Sequence, residues 1–93
     1  MCSDIYCIRF KTIKGANISI DLDENCPVGI LIIHFYIKIN NIREIMRVFN
    51  FKTSFVNNST VLRINDNTPI KKIFNNNLNP CVLVDDNDNL IGG

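Results

Sequence analysis

Few residues in this chain have types and spacing that could do chemistry, and the most suggestive four stand at its end, Leu90-Ile91-Gly92-Gly93. Glycine averages about 7% of residues, so a terminal pair arises by chance in roughly one chain in two hundred. Without a Cβ, a Gly-Gly end can thread a narrow channel and bring its carboxylate where bulkier residues would clash. That suits activation of the carboxylate as an acyl group. Gly93 and Gly92 would then be the reacting end, and Leu90 and Ile91 the side chains an enzyme reads. The other candidates are poorer. His34 stands alone, and Cys2, Cys7, Cys26 and Cys81 contain no C-x-x-C, so no set has zinc-ligand spacing. A nucleophilic site would also need a base, an orienting group and an oxyanion hole. Asp85-Asp86-Asn87-Asp88-Asn89 opens like a calcium loop, but Leu90 occupies the position that needs glycine. The expectation is a protein that is not an enzyme, with no metal site and no cofactor.

The body that would carry such a tail is one domain of 93 residues, with 46% apolar and 20% charged side chains and a net charge of +1. This is the balance of a globular chain with a real core. The basic residues are scattered, which argues against nucleic acid and against an anionic membrane surface. Ile30 to Ile33 is the longest apolar run and is far too short to span a bilayer. No secretory signal precedes the first strand, so reduced thiols in the cytoplasm or nucleus are expected and secretion is not. Heavy use of Ile and Asn, with no Trp, fits an AT-rich genome such as that of a virus or protist.

The elements follow from periodicity. Ile5 to Ile13 alternates, with Tyr6, Ile8 and Phe10 on one side and Cys7, Arg9 and Lys11 on the other; Asn17 to Asp23 alternates with Ile18, Ile20 and Leu22 inward. Joined by a turn at Gly15, they predict a hairpin. Pro27 after an acidic stretch signals a helix start. Val28 to Ile39 fits a helix burying Val28, Leu31, Ile32, Phe35 and Ile39 with His34 outward, or a strand on its β-branched content. The proline, the length and the Asn40-Asn41 stop favour the helix. Ile45 to Phe51 reads as a third strand, Lys52 to Thr60 as a polar loop, and Val61 to Ile64 as a short strand. Pro69 to Phe74 reads as one helical turn and Cys81 to Val84 as a final apolar strand. Residues 1–84 form the body and 85–93 a solvated tail. One helix across a mixed sheet of four or five strands is a two-layer α+β domain, and a β-grasp if the first and last strands pair in parallel.

This order resembles the ubiquitin-like modifiers, with spacing closest to SUMO. Asn25-Cys26-Pro27-Val28 resembles the polar-x-Pro-apolar opening of the SUMO helix, and Asn40 falls where that family ends the helix with Gly. Ile42-Arg43-Glu44-Ile45 is similar to the run into the third strand. Ile64-Asn65-Asp66-Asn67-Thr68-Pro69 resembles the Ile-Asn-x-x-x-Thr-Pro segment, one residue shorter. Departures accompany the match. Lys52 to Arg63 is longer than the family's connection there. Asp21 and Asp23 stand where SUMO presents lysines to acidic motifs. Ile91 replaces the Arg of the ubiquitin Leu-Arg-Gly-Gly end. A second, local resemblance links Thr68-Pro69-Ile70, Val82-Leu83-Val84-Asp85 and Leu90-Ile91-Gly92 to the closing hairpin of a CBS domain.

The first resemblance implies a monomeric protein modifier or sulfur carrier. Gly93 would be activated and joined to target lysines through activating and conjugating enzymes, or the chain would meet other ubiquitin- or SUMO-pathway proteins. The alternatives are a ubiquitin-like interaction module that is never conjugated, and a small viral structural or complex subunit whose Gly-Gly is coincidental.

Overall fold

The computed structural model describes residues 4–50, 52–75 and 77–86. The alternation at the start of the chain becomes strands β1 (Ile5–Thr12) and β2 (Asn17–Asp23), antiparallel from Ile5 opposite Asp23 to Lys11 opposite Asn17. Gly15 turns the chain at φ +91°, a backbone setting that a Cβ would strain. Tyr6, Ile8 and Phe10, one side of the β1 alternation, point into the core with Ile20, which the alternation of β2 turns inward.

Val28–Lys38 is helix α1, which resolves the helix-or-strand ambiguity. Its buried residues Val28, Leu31, Ile32, Phe35 and Tyr36 recur at spacings of three and four, and His34 lies exposed on the outer face. The first helical N–H groups have no partner inside the helix. Here Val28 donates to the Thr68 carbonyl and Gly29 to the Asp66 carbonyl, both at 3.0 Å, so the 66–68 loop caps the helix. At the other end Asn40 adopts φ 58°. The Asn41 N–H reaches the Tyr36 carbonyl and the Asn40 N–H the Ile37 carbonyl, each at 3.0 Å. This is a left-handed helix stop with Asn in the usual place of Gly.

The middle of the chain departs from the sequence reading. Ile45 to Phe51 does not form a strand: a 3₁₀ turn at Ile42–Glu44 leads into α2, Ile45–Phe49. Ile45 and Val48 pack on the core, whereas Ile42, Met46 and Phe49 face solvent. Spacings of three and four served the core better than the strand preference of Ile, Val and Phe, which packing readily overrides. Lys52 to Thr60 is correspondingly not a loop. Thr53–Asn57 is strand β3, with Thr53, Phe55 and Asn57 buried. Asn58 and Ser59, at φ 48° and 72°, make the two-residue turn into β4, Thr60–Leu62. Two positive φ values in succession are the pattern of a type I′ hairpin turn, whose twist matches the strands. The apparent insertion between Lys52 and Arg63 is thus mostly a hairpin.

The short helix α3 (Ile70–Phe74) buries Ile70 and Phe74. The last strand, β5, spans Cys81–Asp86, two residues beyond the expected end at Val84, so Asp85 and Asp86 belong to the sheet. It runs parallel to β1, Arg9 opposite Cys81 through Thr12 opposite Val84, and antiparallel to β3. The strand order is β2-β1-β5-β3-β4. With both edges of β5 occupied, it cannot be half of a terminal hairpin, and the CBS-like reading falls. The inner face of the sheet and α1 enclose one core. Its centre is aromatic: the Phe10 and Phe35 ring centroids are 4.7 Å apart, and Phe55 meets Phe35 edge-on at 5.3 Å. The result is a two-layer α+β β-grasp. No helix among the described residues is long and apolar enough to cross a membrane.

Candidate functional site

Pairing register brings the site together on the solvent face of the sheet. Lys11 on β1 stands opposite Leu83 on β5, Leu83 opposite Val56 on β3, and Val56 opposite Val61 on β4. Alternation turns all four away from the core, because their neighbours Phe10, Val82, Phe55 and Leu62 fill it. The result is one straight cross-strand row in which Leu83 is 52% exposed and Val61 48%. Ile13, 66% exposed, follows β1 in the same alternating phase as Arg9 and Lys11 and extends the apolar surface at the turn. Lys11, Ile13, Val56, Leu83 and Asp85 line a shallow depression of about 510 Å³ there.

Isolated exposed apolar residues are ordinary, but contiguous ones mark surfaces that meet another molecule. Exposed large side chains in register on a rigid sheet lose little conformational freedom on contact. Arg9 and Lys11 give one margin of the row positive charge, and Asp85, opposite Ser54, gives the β5 end a carboxylate.

A second feature lies where β5 ends. A cavity of about 330 Å³ opens between the β1–β2 turn, the end of α1 and the connection to β3, with Tyr36, Thr53, Arg47 and Asp86 among its polar lining, together with Lys14 and Glu44. The Arg47 guanidinium pairs with Asp86, and its Nε–H donates to Thr53 Oγ1 at 3.4 Å. Burial first, with smaller contributions from Asp86 and Glu44, pushes the Tyr36 phenol up to about 12, against the opposing bond with Thr53 and the Arg47 charge. The Arg47–Asp86 pair and the bond to Thr53 staple the end of β5 to α2 and the start of β3.

The residues singled out in the sequence fare unevenly. Leu90, Ile91, Gly92 and Gly93 lie outside the described residues, and Gly93 is seven positions beyond Asp86. Asp21 and Asp23 lie on edge strand β2. Hydrogen bonding to Asp21 raises the Cys7 thiol above its ordinary value, and burial beside Asp23 raises that of Cys26, so both are held protonated. Among the described residues no three His, Cys, Asp or Glu side chains are placed to hold a metal ion. Sequence reasoning misses the row itself, because it reads Val56 as part of a loop and Cys81 to Val84 as an apolar strand with no outward face assigned. The usable signal was the alternation of Phe55-Val56 with Val61-Leu62 around Asn58-Ser59.

No family model matches the sequence, and no curated protein resembles it closely enough to count as a match. Solved structures do match. The ubiquitin-like domain of yeast Ddi1, a solution structure, superposes with a TM-score of 0.69 over 92% of this chain and 93% of that one, at 12% identity. A de novo protein designed on ubiquitin gives a TM-score of 0.64 over 90% of each chain, also at 12% identity. Identity this low speaks for fold alone. Together with the strand order and the parallel pairing of β1 with β5, it establishes that this chain has the ubiquitin-like β-grasp fold.

Proposed function

We propose that this protein is a ubiquitin-like interaction module, a binding protein rather than an enzyme, that docks ubiquitin-pathway proteins on the solvent face of its sheet. The observation that carries this reading is the exposed row Leu83–Val56–Val61 with basic Arg9 and Lys11 at its margin. A partner suited to it presents apolar side chains flanked by carboxylates. Burying the exposed parts of Leu83 and Val61 is worth about 1 kcal/mol each at roughly 25 cal/mol per Å². These two side chains anchor the contact, the remaining affinity comes from the surface buried around them, and the two cations steer the encounter. The neighbouring Ddi1 structure is named as a ubiquitin-like domain of a protein, which accords with a module that works by contact.

The test is affinity capture from cell extract with four baits: wild type, Leu83→Ser combined with Val61→Ser, a deletion of residues 90–93, and a Gly93 deletion. Partners retained by both deletions and lost from the double serine variant, with an unchanged melting temperature, support the docking reading. Partners retained by the double serine variant refute it.

A second reading is favoured by the order of residues Leu90-Ile91-Gly92-Gly93 after β5. In it the chain is also a modifier or sulfur carrier. The Gly93 carboxylate attacks the α-phosphate of ATP on an activating enzyme and releases pyrophosphate. A cysteine thiolate then displaces AMP to give a thioester, and a target lysine amine displaces the thiol to give an isopeptide. In a sulfur carrier, sulfide displaces AMP and leaves a thiocarboxylate. Leu90 and Ile91 would be the side chains the enzymes read. Extract with ATP and Mg²⁺ should form covalent adducts on wild type and none on the Gly93 deletion; equal adducts on both exclude this chemistry.

A further inference from the structure

We propose that α2 and edge strand β4 form a second docking surface, which meets the sheet-face row only at Val61 and takes an acidic amphipathic helix of a partner protein. In this helical segment the core-facing residues are Ile45 and Val48, yet its outer face is apolar too. Ile42, Met46 and Phe49 are 49%, 57% and 53% exposed and spaced i, i+4, i+7. A surface helix ordinarily turns polar residues outward. The segment lies within the 14-residue connection between α1 and β3. Phe49 also lines a groove of about 160 Å³ between α2 and β4, with Val61 and Leu62 on the strand side and Arg63 and Asn65 at the end of the strand.

Charge selects the occupant. From Asn40 to Asn65 the only acidic residue is Glu44, against Arg43, Arg47, Lys52 and Arg63. Arg47 is engaged with Asp86; Arg43, Lys52 and Arg63 are exposed, and Arg63 lines the groove beside Phe49. A second copy of this chain docked through the same patch would set these cations against themselves. A β4 of three residues is too short to recruit an added strand. Three apolar positions over seven residues rise about 10 Å along a helix and match two turns of a partner helix with its own i, i+4, i+7 anchors. Carboxylates flanking those anchors would meet Arg43, Lys52 and Arg63.

The experiment is an NMR titration of the ¹⁵N-labelled chain with two helical peptides of about 18 residues, long enough to form helix on contact. Both carry Leu at i, i+3, i+4 and i+7; the exposed positions are Glu in one and Lys in the other. The acidic peptide is expected to shift Ile42, Met46, Phe49 and Arg63 saturably and to bind about tenfold or more tightly than the basic one. Its affinity should fall as salt rises. Met46→Ser with Phe49→Ser should abolish binding without lowering the melting temperature, and Arg63→Gln should weaken it severalfold. Leu83→Ser should leave it intact, which separates this surface from the sheet face. Equal affinity for the two peptides, no saturable binding, or shifts confined to the sheet face would each overturn the proposal. So would Phe49-dependent dimerisation in sedimentation, or Phe49-dependent binding to vesicles containing anionic lipid without binding of the acidic peptide.

Discussion

Gly29 offers a sharp test of how α1 is seated. It lies in the first turn of the helix, where alanine should be better than glycine by about 1 kcal/mol. The structure predicts the opposite sign. A Cβ at Gly29 would lie 2.1 Å from the Ile64 carbonyl oxygen and 3.1 Å from its carbon, so helix and loop must separate by more than 1 Å. Neither side is free to give. The Gly29 and Val28 N–H groups donate to the Asp66 and Thr68 carbonyls at 3.0 Å. The Ile70 N–H donates to the Cys26 carbonyl at 2.9 Å, and Pro27 and Pro69 form a bridge between the same segments. Separation stretches these bonds in a buried seam, where each unmet donor costs about 1–3 kcal/mol, and overpacking costs a similar amount. Set against the helix gain, Gly29→Ala should destabilise by about 2–4 kcal/mol. For a domain of this length, whose unfolding entropy is about 0.2 kcal/mol/K, that lowers the melting temperature by about 10–20 °C. Thermal unfolding followed by circular dichroism measures it. Gly15→Ala is the control: nothing lies within 4 Å of its Cβ, so only the strain of φ +91° is felt, about 1 kcal/mol. A Gly29→Ala variant as stable as wild type, or more stable, would refute the seam.

Three further outcomes follow from backbone and titration. Asn75 combines φ 53° with ψ −124°, outside the left-handed well that Asn tolerates, so Asn75→Gly should raise stability by about 1 kcal/mol in urea unfolding. Ser59→Gly converts the β3–β4 turn to Asn-Gly, the preferred type I′ pair, and should add about 0.5–1 kcal/mol. Tyr36, with its phenol near 12, binds its proton more tightly folded than unfolded. Its contribution is complete below pH 10 and is lost as pH rises from 10 through 12; Tyr36→Phe should flatten that part of the alkaline unfolding curve.

Much of this fold was legible because its outer elements obey a single period. The β1–β2 hairpin alternates cleanly, Pro27 marks the start of α1, and Cys81–Val84 reads as an apolar strand. The parallel pairing that defines the fold joins residues 72 positions apart and had to be inferred from the order of elements. The middle failed for a different reason. Ile45 to Phe49 has strand composition, and only its position over the core, with Ile45 and Val48 inward, makes it a helix. Once that segment is misread, Thr53–Asn57 has no partner and looks like a loop.

The Asn-rich composition, taken from the sequence as codon bias, also carries fold information. Among the described residues three of the four non-glycine positions with positive φ are Asn40, Asn58 and Asn75. They end α1, turn β3 into β4, and end α3. At Asn40 and Asn58 the left-handed backbone is one that Asn tolerates, because its amide can bond locally to the backbone, whereas Asn75 lies outside that well. A chain that spends Asn where others spend Gly therefore hides its turns among polar stretches. Asn57-Asn58-Ser59 looked like part of a solvated loop. Read instead as a hairpin turn, it places Val56 opposite Val61, and register then sets Leu83 beside Val56. The apolar row on the sheet face follows from that one correction. It was out of reach in the sequence because a turn residue had been mistaken for composition, although every side chain in the row was in view.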